Sequence, residues 1–232
     1  MSTPDDVPVV LIHGWAGSFA ETWQEPGIDA LLEDAGRIVV GIDLPGHGNA
    51  EKWHDPDDYL RLPEWLLDAL DSVAPVVDVA AFSLGAMTAL RALQVSPGRF
   101  RRVLLSGIGD AVFEPADPAG NARIVAALEG RAPDDDAFAQ AFARYARDPR
   151  KDLTALTAIM KRPSGPPLVP ADLAGVTTEV RIALGDADFM WPAERLAAAL
   201  PNSSIAVLRG TDHFATPGAF SFIDEVLGFL GR

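Results

Sequence analysis

Ser83 stands at the junction between a short apolar segment and a helical pattern, within the stretch Ala81-Phe82-Ser83-Leu84-Gly85. Residues 76–82 predict a buried strand, and residues 84–95 predict a helix that begins almost without a loop. A sharp turn from strand to helix exposes a serine hydroxyl at the head of the helix, where backbone amides favour developing negative charge. We therefore interpret Ser83 as a candidate nucleophile, the alternative being a serine that only caps the helix.

A serine hydroxyl is a weak nucleophile unless a neighbouring base removes its proton. The chain has four histidines, and His213 is the one that lies between the last predicted strand and the last predicted helix. That loop is at the same edge of the predicted sheet as Ser83, so His213 is the candidate base. We interpret His47 as part of a tight turn and His54 as a solvated side chain in a polar stretch.

The base needs a carboxylate that fixes its tautomer and stabilises the imidazolium. Asp186 and Asp188 follow the fifth predicted strand, and Asp110 follows the fourth. All three are expected at the edge of the sheet that carries Ser83, so spacing alone does not choose among them.

A tetrahedral intermediate also needs hydrogen-bond donors for its oxyanion. The backbone amide of Leu84, directly after the candidate nucleophile, is one expected donor. The second is expected from the loop after the first strand, where His13-Gly14-Trp15 stands, and we assign it to the amide of Trp15. The alternative is an ordinary glycine turn with the Trp15 ring in the core.

The composition excludes several classes of function. Lys and Arg number 19 against 33 Asp and Glu, and the resulting net charge of -14 disfavours a nucleic-acid partner. The chain has no cysteine, which excludes disulfides, thiolate metal sites and a cysteine nucleophile. No metal-ligand spacing or dinucleotide-binding fingerprint is present, so we expect no metal and no cofactor. No basic leader opens the chain and no apolar run reaches the roughly 20 residues of a membrane span, which predicts a cytoplasmic protein.

Short apolar runs alternate with helical patterns along most of the chain, which predicts a doubly wound α/β fold with a mainly parallel sheet and helices on both faces. The predicted strands are residues 7–12, 37–43, 76–82, 101–108, 180–184 and 204–208. The interval 111–175 has helical patterns and no convincing strand. We therefore expect a core made of residues 1–110 and 176–232, and a helical insertion at 111–175 that covers a binding cleft.

Together these residues resemble the α/β-hydrolase superfamily over nearly the whole chain. The stretch around Ser83 is similar to the nucleophile elbow of that family, with Ala81 in place of the usual first glycine. The chain order of serine, acid and histidine and the Asp43-Leu44-Pro45-Gly46-His47-Gly48 turn also match. The resemblance implies that Asp188 is the acid of a catalytic triad and that residues 111–175 are a lid. The His13-Gly14-Trp15 turn and the small size are similar to the carboxylesterase branch.

The resulting functional hypothesis is a serine hydrolase that cleaves small-molecule carboxylic esters through an acyl-enzyme, without a cofactor. An apolar pocket for a small or medium acyl group is expected from Phe82, Phe189, Trp191 and Phe214. One alternative is a C–C bond hydrolase or lactonase that uses the same triad. Another is a hydrolase-fold protein that binds a ligand without turning it over.

Overall fold

The computed structural model describes residues 7–163 and 165–231, and its six described strands form one parallel sheet in the order β2-β1-β3-β4-β5-β6. The strands are β1 (Val9–Ile12), β2 (Val39–Ile42), β3 (Val77–Phe82), β4 (Phe100–Ser106), β5 (Glu179–Gly185) and β6 (Ser203–Leu208). Each predicted strand is present, with its ends moved by no more than two residues. The predicted doubly wound parallel sheet is confirmed.

Helices connect these strands. The described α-helices outside the β4–β5 connection are α1 (Ile28–Asp34), α2 (Leu62–Asp71), α3 (Leu84–Val95), α8 (Glu194–Ala199) and α9 (Phe220–Leu230). The connection itself contains α4 (Pro118–Leu128), α5 (Ala137–Ala146), α6 (Leu153–Lys161) and α7 (Pro170–Leu173). In the described part of the chain, no helix combines the length and apolar character that crossing a bilayer requires.

Successive side chains of a strand point to opposite faces of the sheet. Because successive residues of these strands are apolar, both faces of the sheet are apolar. In β1, Val10 and Ile12 belong to the core that α2, α3 and α8 cover, whereas Val9 and Leu11 belong to the core on the other face. Helices α1 and α9 pack against that second face. Because helices cover both faces of the sheet, polar side chains can cluster only at the ends of its strands.

The connection between β4 and β5 is helical, as the sequence predicts, and its described residues contain no strand. Aspartates begin three of its helices: the side chains of Asp117, Asp136 and Asp152 accept backbone N–H groups from the first turns of α4, α5 and α6. After α6, Arg162–Pro163 and Gly165–Pro167 are not helical, because proline lacks the amide that a helix needs.

A buried carboxylate at the start of β3 forms ion pairs at the edge of the sheet where the strands begin. Asp78 has no exposed surface, and it accepts hydrogen bonds from Arg37, Arg101 and Arg102, with distances of 2.8 Å to Arg37 Nη2, Arg101 Nε and Arg102 Nη2. Burial alone would raise the pKa of Asp78, but the hydrogen bonds from Arg101, Arg102 and Arg37 outweigh it and hold that pKa below its ordinary value. Asp78 is therefore ionised, and its negative charge compensates the positive charges of these arginines.

At the other end of β3, helix α3 begins directly against the loop that follows β1. A Cβ atom at Gly85 would overlap the carbonyl oxygen of His13 and come within 2.8 Å of the Ile12 side chain. A Cβ atom at Gly14 would lie 3.1 Å from the Cβ of Ser83. Glycine is needed at both positions because the two loops touch through their backbones.

Replacing Asp78 with asparagine should lower the free energy of unfolding by about 3 kcal/mol or more, because three arginines lose their buried counter-charge. Urea denaturation at pH 7 measures this, with Asp71→Asn as a control because Asp71 pairs with Arg99 while 69% exposed. The stability that ionised Asp78 contributes is present above its ordinary pKa and is lost as pH falls through its lowered pKa. The difference between Asp78→Asn and the unsubstituted protein should therefore narrow below about pH 4. Equal stability of the two proteins at pH 7 would contradict this role.

Replacing Gly85 with alanine should destabilise the protein by about 1–3 kcal/mol, because the added methyl group must displace the backbone at His13. Gly98→Ala is the matched control, since nothing lies within 4 Å of a Cβ built at Gly98. Thermal denaturation of the two variants makes the comparison, and a Gly85→Ala variant as stable as Gly98→Ala would disprove the tight contact.

Candidate active site

Ser83 occupies a strained turn between β3 and α3. Its backbone has φ 51° and ψ −112°, and Ser83 and Ala16 are the non-glycine residues with positive φ in the described part of the chain. The Ser83 amide donates to the carbonyl of Ser106 at 2.8 Å, which ties the turn to the end of β4. A conformation of this kind costs free energy and persists because the surrounding structure holds it.

A continuous chain of hydrogen bonds joins Ser83, His213 and Asp188. His213 Nε2 lies 2.9 Å from Ser83 Oγ, and His213 Nδ1 lies 3.0 and 2.9 Å from the two carboxylate oxygens of Asp188. Because an ionised carboxylate only accepts hydrogen bonds, Nδ1 must carry a proton and donate it. In the neutral ring Nε2 is then free to accept the hydrogen bond of the Ser83 hydroxyl.

Of the three acids that spacing left open, the structure brings Asp188 to the histidine. The Met190 amide donates to Asp188 Oδ1 at 2.8 Å and helps to orient the carboxylate. Asp186 instead accepts the Gly210 amide at 2.7 Å and therefore shapes the loop before His213. Asp110 accepts the Leu196 amide at 2.9 Å near the start of α8.

Aromatic rings enclose the imidazole of His213, which is 6% exposed. The centroid of the Phe189 ring lies 4.4 Å from that of His213, and the Phe82 ring centroid lies at 5.0 Å. Gly107 adjoins the same ring, because a Cβ built there would lie 3.0 Å from His213 Cε1. These contacts restrict the ring to the plane in which it reaches both Ser83 and Asp188.

Two backbone amides near Ser83 are available for a ligand. The amide of Leu84 belongs to the first turn of α3, where N–H groups have no acceptor within the helix. The amide of Trp15 lies in the turn after β1, and Trp15 and Ser83 line the same small cavity. Within residues 7–163 and 165–231, neither amide donates to a protein acceptor. Both predicted oxyanion donors are thus unpaired.

Two buried histidines hold the loops beside Trp15. His13 Nε2 accepts the Leu44 amide at 3.0 Å, so its Nδ1 carries the proton and donates to the Gly14 carbonyl at 2.7 Å. Burial lowers the pKa of His13 and holds that of His47 well below its ordinary value, with the proximity of the His13 ring as a further cause for His47. Both rings are neutral at pH 7, and they connect the loops after β1 and β2. His54, in contrast, is exposed and lies 2.9 Å from Asp152.

The cavity at Ser83 has a volume of only about 20 Å³. The residues that line it with Ser83 and His213 are Trp15, Phe82, Phe142, Tyr145 and Phe214. Two of the predicted pocket residues, Phe82 and Phe214, therefore line it. Phe189 packs against His213 and Phe142 but, like Trp191, is not among the lining residues of the cavity. Phe142 and Tyr145 lie on α5, within the interval 111–175 that was expected to cover the cleft, but the sequence did not single out these two residues.

The Trp15 side chain joins this cavity to the β4–β5 connection. Its indole N–H donates to the Leu156 carbonyl in α6 at 3.1 Å, and its ring packs against Phe142 of α5 at a centroid distance of 5.6 Å. Trp15 is thus at once a core residue and a pocket residue. Among the described residues, no group of three or more histidine or acidic side chains is arranged to hold a metal ion.

Comparison with known proteins places this geometry in a family. A family model described as "Alpha/beta hydrolase family" matches residues 9–221. The pimeloyl-[acyl-carrier protein] methyl ester esterase of Methylococcus capsulatus is 35% identical over 178 residues, which are 72% of this chain and 65% of that protein. An esterase of Mycobacterium tuberculosis is 28% identical over 46% of this chain and 34% of its own length. The matches thus cover less than two thirds of either relative.

Solved structures agree on the fold. The 2-hydroxy-6-oxo-6-phenylhexa-2,4-dienoate hydrolase from a Rhodococcus strain superposes with a TM-score of 0.72 over 97% of this chain and 90% of that chain, at 20% identity. An identity this low carries information about the fold alone. The match of the family model over most of the chain, with the parallel sheet and the serine at its strand-to-helix turn, means that the protein belongs to the alpha/beta hydrolase family.

Proposed function

We propose that this protein is a serine hydrolase that cleaves carboxylic esters of small molecules. The observation that carries the proposal is the hydrogen-bonded chain from Ser83 Oγ through His213 to Asp188. A serine that donates to an imidazole, itself oriented by a buried carboxylate, is the arrangement that nucleophilic acyl transfer requires.

In the proposed reaction, Ser83 Oγ attacks the ester carbonyl carbon while His213 Nε2 accepts the hydroxyl proton. The carbonyl electrons move to oxygen, and the amides of Trp15 and Leu84 donate to the resulting oxyanion. Each such donor contributes about 3–4 kcal/mol of transition-state stabilisation. Asp188 stabilises the imidazolium that forms.

Collapse of this intermediate breaks the bond to the leaving alcohol, which takes its proton from His213 and departs. The acyl group is then an ester of Ser83. A water molecule gives a proton to His213 and attacks the acyl carbon, and collapse of the second intermediate releases the acid and returns the proton to Ser83. The cycle needs no cofactor.

The comparisons support ester hydrolysis over the alternatives that share this triad. Both curated relatives described above bear esterase names. The 2-hydroxy-6-oxo-6-phenylhexa-2,4-dienoate hydrolase among the solved structures shares 20% identity with this chain, which supports a common fold and not a common substrate. We therefore place esters first and retain lactones and vinylogous diketones as comparison substrates.

We propose further that residues 111–175 form a lid. Helix α5 brings Phe142 and Tyr145 to the cavity at Ser83, and Phe142 also packs against Phe214 at a centroid distance of 5.3 Å. A cavity of about 20 Å³ does not hold an acyl chain, so the aromatic side chains that line it, those of α5 among them, must rearrange before a substrate binds. The aromatic lining favours apolar acyl groups of small or medium size.

Replacing Ser83 with alanine should reduce turnover of p-nitrophenyl acetate to less than about one thousandth, because the attacking oxygen is lost. Circular dichroism and thermal denaturation should show an intact fold, since the substitution removes one oxygen atom. Substantial residual turnover that copurifies with the variant would contradict the assignment of the nucleophile.

Replacing Asp188 with asparagine should lower kcat about 10³- to 10⁴-fold, because the amide no longer favours the tautomer with the proton on Nδ1. Asp186→Asn is the matched control: it changes the same functional group in the same loop, but its carboxylate contacts Gly210 and Arg209. Steady-state kinetics with one ester compare the two variants. A larger loss in Asp186→Asn would move the acid to position 186.

Replacing Phe142 with alanine should shift the acyl preference toward longer chains, because it removes the ring between Trp15, Phe189 and Phe214. The ratio of kcat/KM for p-nitrophenyl hexanoate to that for the acetate should rise about tenfold. Phe138→Ala is the control, since Phe138 packs on Phe142 but does not line the cavity. An unchanged ratio in Phe142→Ala would contradict the proposed position of the acyl group.

A further inference from the structure

A second and much larger cavity lies beside α3. Its volume is about 480 Å³, in the range of small-molecule binding sites, compared with about 20 Å³ at Ser83. Residues of α3 line it, together with Arg162–Pro163 and Gly165–Pro167. The two cavities share no lining residue among those described.

Two arginines line this second cavity without a carboxylate partner. Arg91 donates from Nη2 to the Pro166 carbonyl at 2.6 Å, and Arg162 donates from Nη1 to the Ile159 carbonyl at 2.7 Å. In the part of the chain that the structure describes, neither guanidinium lies within ion-pair distance of an acidic side chain. A guanidinium has five N–H donors, so each keeps several for a ligand.

Each of these two charges is partly removed from water, and no carboxylate lies within ion-pair distance of either among the described residues. Both side chains are partly buried, and burial lowers the pKa of each guanidinium. The charge of Asp172 opposes this lowering at Arg91, while Asp172 Oδ2 accepts the Val169 amide at 2.8 Å; Arg162 has no such neighbour among the described residues. A partly buried cation with no carboxylate in direct contact is a favourable partner for an anion from solution.

The acidic side chains of the lining do not neutralise the pair. Glu114 is 2.6 Å from Arg195 and is therefore already paired. Glu64 is exposed and makes no ion pair among the described residues. Among the lining residues, two unpaired arginines thus stand against one unpaired carboxylate, that of Glu64, in a chain whose net charge is -14.

The rest of the lining is suited to an apolar chain. Leu62, Leu84 and Val112 are each less than 9% exposed, and Met87 and four prolines also line the cavity. An anion that is small and fully hydrated, such as phosphate, would leave this surface unused. A carboxylate attached to a hydrocarbon chain would use both parts of the lining.

We propose that this cavity is a second ligand site that binds an organic carboxylate with an apolar chain, with the carboxylate paired to Arg91 and Arg162. The site does not depend on the proposed hydrolysis at Ser83. A ligand bound there contacts the side chain of Leu84, which follows Ser83 in the chain.

Calorimetric titration of octanoate into the full chain carrying Ser83→Ala tests the proposal without interference from turnover. Octanamide, which has the same chain without the charge, should bind about tenfold more weakly. Arg162→Gln and Arg91→Gln should each weaken octanoate binding about tenfold, whereas Arg162→Lys, which keeps the charge, should weaken it less. Arg144→Gln is the matched control, because Arg144 is exposed on α5 and does not line the cavity.

A crystal structure with octanoate should show the carboxylate at Arg91 and Arg162. Three results would overturn the proposal. The first is no octanoate binding up to about 10 mM, and the second is an octanoate affinity in both glutamine variants equal to that of the Ser83→Ala protein. The third is octanoate bound only in the aromatic cavity at Ser83. If the glutamine variants fail to fold, Ala111→Trp fills the cavity from an exposed lining position and keeps both arginines. Loss of binding in that variant would support the site, and full affinity would contradict it.

Discussion

The arrangement depends on one constraint: in a parallel sheet, the carboxyl ends of all strands meet at one edge. Ser83 follows β3, Asp188 follows β5 and His213 follows β6, so residues separated by up to 130 positions in the chain converge there. The opposite edge carries the buried Asp78 with its three arginines, which contributes to stability and takes no part in the proposed chemistry.

The convergence of these side chains alone does not make a serine reactive. The backbone around Ser83 also orients its hydroxyl and provides hydrogen-bond donors. The positive φ of Ser83 aims its hydroxyl away from β3 and leaves the Leu84 amide free at the head of α3. Gly14 and Gly85 allow the loop after β1 to approach this turn, and His13 fixes that loop by accepting the Leu44 amide. The strained conformation of Ser83 is therefore held by these neighbours and by the hydrogen bond from the Ser83 amide to the Ser106 carbonyl.

Much of this could be predicted from the sequence because it follows from local patterns. Apolar runs predicted all six strands to within two residues, and the chemistry of serine and histidine singled out Ser83 and His213. Spacing did not distinguish Asp110, Asp186 and Asp188, since all three follow strands at the same edge. The choice is made by loop geometry, which turns Asp110 toward the Leu196 amide and Asp186 toward the Gly210 amide.

The pocket was less predictable, because it is formed by side chains from segments whose relative positions no local pattern fixes. Trp191 is adjacent in sequence to the expected pocket residues but does not line the cavity, whereas Phe142 and Tyr145 reach it from α5. The large cavity with Arg91 and Arg162 was not foreseen either, since their separation in the chain gives no sign that they share a wall.

The central claim is that the hydroxyl at position 83 is activated by its position in this fold. Mass spectrometry after treatment with a fluorophosphonate tests it most directly, because this reagent phosphonylates serines that a neighbouring base activates. The account predicts one phosphonyl group per chain, on the peptide that contains Ser83, and no adduct after His213 is replaced by alanine. An unmodified protein, or an adduct on another serine, would contradict it.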